Sequence, residues 1–141
     1  KPGVGGAGRN RHGGETGLVG REDRDGIAPA GEAAKAEGID ATGPVAPDTV
    51  FSKMRGGWFD IVVAMYHDQG HIPMKVVGFV YNEEKGEWDA VAGVNITCGL
   101  PIIRVSVDHG TAMGHAGHGN ASELSLVNSI NCAAQLARHR G

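Results

Sequence analysis

An α/β fold, with a mainly parallel sheet and flanking helices, is the architecture this sequence predicts, and three observations carry it. A short β-prone apolar run, Ile61-Val62-Val63-Ala64-Met65, has the length and composition of a buried strand, and residues 94–98 and 103–107 read as two more strands. Segments with helical periodicity, 26–37 and 121–139, alternate with them. The loops after the expected strands are rich in glycine and histidine, as befits the carboxyl edge of such a sheet, where ligands bind.

The elements follow in order. Residues 1–20 are Gly-rich and expected to be irregular, with a strand ending near Asn10 as the alternative, though few apolar residues are there to bury it. Gly3-Val4-Gly5-Gly6-Ala7-Gly8 loosely resembles a dinucleotide-binding glycine loop, but no predicted strand precedes it. Asp23 or Asp25 can cap a helix over 26–37, with Ile27, Ala30, Ala33, Ala34 and Ala36 as its apolar contacts and Gly38 as its stop. Gly31 is out of place in that helix. Residues 43–48 read as a turn-rich loop, and 61–65 as a strand buried on both faces. A helix is expected over 72–77 with Pro73 in its first turn. Residues 82–90 form a polar surface excursion, 94–98 and 103–107 two more strands, and 109–120 a second Gly- and His-rich loop. The clearest helix, 121–139, has Asn120 or Ser122 as its cap and Leu124, Val127, Ile130, Ala134 and Ala137 along one stripe. Residues 1–141 are expected to form a single α/β unit.

Composition narrows the function. A net charge of -3 argues against a general nucleic-acid binder, which needs a basic surface. No apolar stretch is long enough to span a membrane, and Lys1-Pro2-Gly3-Val4-Gly5-Gly6 lacks the apolar core of a signal peptide. Cys98 and Cys132 are too few for a disulfide framework and form no C-x-x-C pair, so a reducing, cytoplasmic setting is expected. The outlier is glycine, 24 of 141 residues, more than double its usual share of about 7%. Gly13, Gly14, Gly17 and Gly20 read as glycines of a ligand loop.

Six of the seven histidines, His12, His67, His71, His109, His115 and His118, lie in three loops after expected strands, 10–20, 66–71 and 107–119. Imidazole suits zinc and other divalent first-row metals, and ligands converging from separate loops would build such a site. His67 stands out because it follows a strand directly and precedes Asp68, a carboxylate able to orient a ligand, bind metal or move a proton. The plainer alternative makes Asp68 a helix cap. His67 and His71 would share a face of a continuous helix, as in zinc hydrolases, but Gly70 between them argues against continuity. Lys75 and Arg104 are candidate anion binders, and an arginine among Ile102, Ile103 and Val105 must face a ligand or an internal acid. Asn95, polar within a strand, either meets a ligand or bonds backbone at a sheet edge. Neither a G-x-S-x-G elbow nor a Walker phosphate loop is present.

These residues, in this order, resemble a family. Met65-Tyr66-His67-Asp68-Gln69-Gly70, Ile72-Pro73-Met74-Lys75, Gly93-Val94-Asn95-Ile96-Thr97, Gly99-Leu100-Pro101-Ile102-Ile103-Arg104 and Ser106-Val107-Asp108-His109-Gly110-Thr111-Ala112 are similar to the C-terminal part of the 4-hydroxythreonine-4-phosphate dehydrogenases. The branch acting on D-threonate or D-erythronate 4-phosphate is also similar. Upstream, Gly13-Gly14-Glu15-Thr16-Gly17-Leu18-Val19-Gly20-Arg21-Glu22 and Gly43-Pro44-Val45-Ala46-Pro47-Asp48-Thr49-Val50-Phe51 match too.

The resemblance implies a fold like that of the isocitrate and isopropylmalate dehydrogenases, with this chain as the C-terminal part of a two-domain protein. It implies His12 and His67 as metal ligands, and Lys75, Asn95 and Arg104 as substrate-binding residues. Asp68 and Lys75 are the implied catalytic residues, Asp68 assisting proton transfer. Asp108, Gly110 and Thr111 are implied to lie near the nicotinamide cofactor. The cofactors would be a divalent metal (Zn, Mg, Mn or Co) and NAD or NADP. The activity would be oxidation, with decarboxylation, of a phosphorylated hydroxy acid in pyridoxine biosynthesis or four-carbon acid metabolism, by a homodimer sharing its metal site between subunits. Against this pattern, family members carry a further N-terminal half with a third metal-ligating histidine. They also usually have Asn-Pro before His12, where this chain has Asn10-Arg11. A non-catalytic metal-binding or dimerisation module is the alternative, and a zinc hydrolase using His67 and His71 a more distant one.

Overall fold

The computed structural model describes residues 1–84, 86–89, 93–111 and 113–140. The chain divides into two compact units, Lys1–Met74 and Lys75–Gly141.

The first unit is built on a three-stranded parallel sheet. Strand β1 (Gly3–Ala7) lies between β2 (Asp40–Val45) and β3 (Ile61–Val63). The Gly-rich start of the chain, expected to be irregular, is therefore the central strand. Its glycines are a packing requirement. A Cβ on Gly5 would lie 2.8 Å from the Phe59 ring, and one on Gly43 of β2 would lie 2.7 Å from the Gly6 carbonyl. Close approach of Phe59 and of a neighbouring backbone replaces the branched side chains that usually mark a strand. The strand β2 also runs on through Gly43-Pro44 to Val45, where a turn-rich loop was expected. As an edge strand it tolerates proline, and the pairing shifts register between Gly5 and Ala7 to accommodate it.

Helix α1 (Ala28–Ala36) follows one π-helical turn, Asp23–Ile27, with Pro29 in its first turn. Neither Asp23 nor Asp25 caps it: Asp25 pairs with Arg24, and Asp23 is buried elsewhere. Gly38, at φ +82°, ends it as expected. The short α2 (Val50–Arg55) places Val50, fully buried, in the core with Ala7. β3 has the predicted position, but as an edge strand it leaves Ile61 and Val63 about half exposed, contrary to burial on both faces.

Helix α3 (His67–Gly78) begins five residues before its expected start at 72. Pro73 lies inside it, beyond the first turn, and Gly70 does not interrupt it. A Cβ on Gly70 would sit 3.3 Å from that of Ala64, so the glycine serves close packing and not a break.

In the second unit the parallel pattern does not continue. β4 (Val80–Asn82) pairs antiparallel with β5 (Glu87–Asp89), and β6 (Val94–Thr97) with β7 (Arg104–Val107). The expected surface excursion is thus a hairpin, with Tyr81 and Trp88 edge to face at 5.2 Å. Lys85 and Ala90 of that segment, and Ala112 of the later motif, lie outside the described residues. Helix α4 (Leu124–His139) is present much as predicted. Its packed face is not the expected stripe: Ser125 and Ser129 are buried, whereas Leu124, Val127 and Ile130 are exposed. Its cap also differs. Asn120 partners His115, and Ser122 Oγ accepts only a long bond from the Leu124 N–H, at 3.4 Å. No described helix is long and apolar enough to cross a membrane.

Candidate functional site

In a parallel sheet neighbouring strands end on the same side, and β1 and β3 are neighbours. The chain leaving β1 carries His12 and the chain leaving β3 carries His67, so both departures lie at the sheet's carboxyl edge, where α/β folds bind ligands.

His67 opens α3. Its Nδ1 lies 2.8 Å from Asp68 Oδ1. A carboxylate accepts from Nδ1–H, which leaves the Nε2 lone pair free. The His71 ring stacks on that of His67, with centroids 4.1 Å apart and planes 14° from parallel. Parallel stacked rings direct their in-plane lone pairs side by side, whereas a shared tetrahedral metal needs them to converge. The stack therefore opposes the zinc-hydrolase pairing of His67 with His71. His71 Nδ1 is itself buried without a hydrogen-bond partner.

His12 sits in an unusual backbone. Residues His12, Gly13, Gly14, Glu15 and Thr16 are all left-handed, with φ between 45° and 79°. Three of them carry side chains, and left-handed backbone costs such residues roughly 1–2 kcal/mol each. Surrounding contacts must hold the loop. His12 Nδ1 lies 2.9 Å from Glu15 Oε1, which repeats the His67–Asp68 arrangement and again leaves Nε2 open. Just upstream, the buried Asp23 carboxylate accepts the N–H groups of Arg9 at 2.6 Å and Asn10 at 3.1 Å. The Asn10 Nδ2 donates to Glu22 Oε2 at 2.8 Å, and that bond is the main reason the Glu22 carboxyl is held below its usual range.

Gln69 adds a link between the two departures. Its Oε1 accepts the Met65 N–H and its Nε2 donates to the Gly8 carbonyl, each at 2.7 Å. Sequence reasoning missed Gln69 and gave Asp23 only a capping role. A lone buried amide or carboxylate has no periodicity to mark it.

In the second unit, Asn95 pairs with Ser106 and Thr97 with Arg104 across the β6–β7 ribbon. Alternation along each strand puts Asn95, Thr97, Arg104 and Ser106 on one face and Val94, Ile96, Val105 and Val107 on the other. Two expected substrate-binding residues therefore share a polar face. The Arg104 guanidinium donates to Thr97 Oγ1 at 2.7 Å and is exposed. Among the described residues no acid pairs with it, so the internal ion pair weighed for it is not formed. Lys75 lies on α3 with its ammonium 5.9 Å from the Phe79 ring centroid. Asp108 follows β7, half-buried, with its N–H bonded to Ser125 Oγ at 3.2 Å, while Ser125 Oγ donates to the Gly93 carbonyl. This pins one end of the ribbon, where β6 begins and β7 ends, to α4. Gly110 has open space around it, and Thr111 is exposed.

Among the described residues no group of three His, Cys, Asp or Glu side chains is gathered to hold a metal. The donor chemistry nevertheless fits part of such a site: two imidazoles, each oriented through Nδ1 by a carboxylate, with Nε2 available.

The model of the family described as pyridoxal phosphate biosynthetic protein PdxA matches residues 1–133. A D-threonate 4-phosphate dehydrogenase of Cupriavidus necator is 50% identical over 140 residues, 99% of this chain and 39% of the relative. A 4-hydroxythreonine-4-phosphate dehydrogenase of Beijerinckia indica is 52% identical over 136 residues, 96% of this chain and 37% of the relative. The crystal structure of a 4-hydroxythreonine-4-phosphate dehydrogenase from Klebsiella pneumoniae is similar at a TM-score of 0.75 and 48% identity, covering 96% of this chain and 38% of that one. The chain thus spans about two fifths of the length of the relatives it matches.

Proposed function

Since this chain belongs to the pyridoxal phosphate biosynthetic protein PdxA family, we propose that it is the C-terminal part of a metal-dependent, NAD(P)-linked dehydrogenase. Its substrate is a phosphorylated hydroxy acid, either 4-phosphohydroxy-L-threonine or a four-carbon sugar acid such as D-threonate 4-phosphate. The proposed setting is a cytoplasmic homodimer of isocitrate dehydrogenase-like fold that shares its metal site between subunits. One observation carries the reading: His12 and His67 leave neighbouring parallel strands, each with Nδ1 held by a carboxylate and Nε2 free.

A divalent metal bound there would supply Lewis acidity toward the substrate hydroxyl and carboxylate. His12 and His67 would hold it. Arg104 and Asn95, on one polar face, would orient the acid and its phosphate together with Lys75. A nicotinamide cofactor would supply the hydride acceptor for the hydroxyl-bearing carbon. A base of this chain would take the hydroxyl proton, and an acid would return a proton to the carbon from which the 3-keto acid would lose carbon dioxide. Asp68 and Lys75 are the proposed proton carriers, and Asp68 also orients His67 through Oδ1. The loop with Asp108, Gly110 and Thr111 would face the nicotinamide cofactor.

The test is a chimera joining the N-terminal portion of the Cupriavidus necator relative to this chain. The expected result is metal-dependent NAD or NADP reduction with one of the two substrates, abolished by His67→Ala. A metal-loaded, folded chimera that turns over neither substrate would overturn the dehydrogenase reading. A second reading, a non-catalytic metal-binding or dimerisation module, draws on the chain's spanning only about two fifths of its relatives' length. It predicts bound metal and a dimer without turnover.

A further inference from the structure

We infer that Gln69 is a positioning residue whose carboxamide sets His67 against the loop that carries His12. The inference rests on the proposed metal role of those two histidines. The Gln69 side chain is buried at 7% exposure. Its Oε1 accepts the Met65 N–H and its Nε2 donates to the Gly8 carbonyl, each at 2.7 Å, the latter across 61 residues of sequence.

Position gives this bridge its meaning. The last paired residues of β1 and β3 are Gly6 and Val63. Beyond them no ladder bond joins the two chains, yet His12 and His67 both lie beyond. The amide spans the gap just after the ladder ends, tying the turn into α3 to the chain leaving β1. Asp23 grips the next two residues of that chain, Arg9 and Asn10, by their N–H groups. Gly8, Arg9 and Asn10 are thus held in sequence immediately before the left-handed turn at His12. Met65 offers a donor and Gly8 an acceptor, so the bridge needs one acceptor and one donor on a single planar group. Glutamine provides both, glutamate lacks the donor, and leucine lacks both.

Cobalt(II) titrated into the 141-residue chain, followed by its d–d absorption, tests the assignment. Gln69→Leu is expected to weaken cobalt binding by roughly tenfold or more, in the range seen when groups behind metal ligands are removed. Gln69→Glu, which keeps the acceptor for Met65 and loses the donor for Gly8, is expected to weaken it too. Val50→Ala, in the apolar core, controls for lost stability and should leave affinity unchanged. Wild-type affinity in Gln69→Leu, or an equal loss in Val50→Ala, overturns the inference. If His12 and His67 of the 141-residue chain alone hold no cobalt, the metal reading is left to the chimera, and imidazole ¹⁵N signals decide the role of Gln69. Shifts at both His12 and His67 in Gln69→Leu and Gln69→Glu, absent in Val50→Ala, support it; unchanged signals overturn it.

Discussion

His67 and His12 each have Nδ1 paired with an acid close by in sequence, Asp68 and Glu15. A carboxylate on Nδ1 fixes the tautomer and the ring's orientation. Asp68→Ala should therefore weaken metal binding by about 10- to 100-fold, whereas Asp68→Asn, which keeps an acceptor oxygen, should lose less. Competition with a chelator measures both, and equal losses would assign the effect to charge and not to orientation. The second prediction concerns pH. Glu22 is held below its usual carboxylate range, first by the Asn10 side-chain hydrogen bond. A depressed carboxylate stabilises the fold above its unfolded pKa, and that stabilisation is lost as pH falls through the folded value. Asn10→Ala should raise the Glu22 midpoint toward the ordinary range and lessen this acid-side dependence, read by NMR titration of the Glu22 carboxyl. At this scale the sequence showed His67, because it follows an apolar strand. It hid Gln69 and the true role of Asp23, because a buried polar group is defined by partners 13 to 61 residues away.

The elements read from apolar pattern were found, although the apolar faces that revealed them are partly exposed in this chain. Ile61-Val62-Val63 is a strand, and the 121–139 segment is a helix from Leu124 to His139. β1 escaped because the signal for a strand is bulk, and β1 packs by lacking it. Gly5 makes room for the Phe59 ring, which a Cβ would approach to 2.8 Å. Gly5→Ala should accordingly destabilise the first unit by about 1–3 kcal/mol, the usual cost of overpacking. Adding Phe59→Leu should return part of it. Thermal or denaturant unfolding of the single and double variants checks this. A neutral Gly5→Ala would show that Phe59 moves aside freely, and the close approach would no longer explain the glycine. The early start of α3 has a similar cause. Gly70 and Pro73 argue locally against a helix, but Gln69 fixes the first turn to the end of β3 by its bond to the Met65 N–H. A bond of that kind overrides propensity, and no window of sequence displays it.

Across the whole molecule the conspicuous feature is apolar surface facing outward. Helix α4 buries Ser125 and Ser129 and exposes Leu124, Leu126, Val127, Ile130 and Leu136. The stripe expected to pack inward is real as a pattern, but its partner is not among the described residues. Relatives are more than twice as long as this chain, and exposed apolar surface on this scale marks a contact. The portion of the relatives' length that this chain does not span is the simplest cover for the stripe. If it is the cover, one substitution should behave differently in two contexts. Val127→Asp in the 141-residue chain changes an exposed position and should alter stability by no more than about 0.5 kcal/mol. In a chimera with the N-terminal portion of the Cupriavidus necator relative, the same aspartate would be buried without a partner. It should then cost several kcal/mol, since an uncompensated charge in an apolar contact is among the most damaging changes a fold can suffer. Parallel thermal unfolding of the two pairs measures the difference. Equal, small effects in both contexts would leave the α4 stripe uncovered in the longer protein. A loss that grows with protein concentration in the chain alone would instead make a second copy its partner.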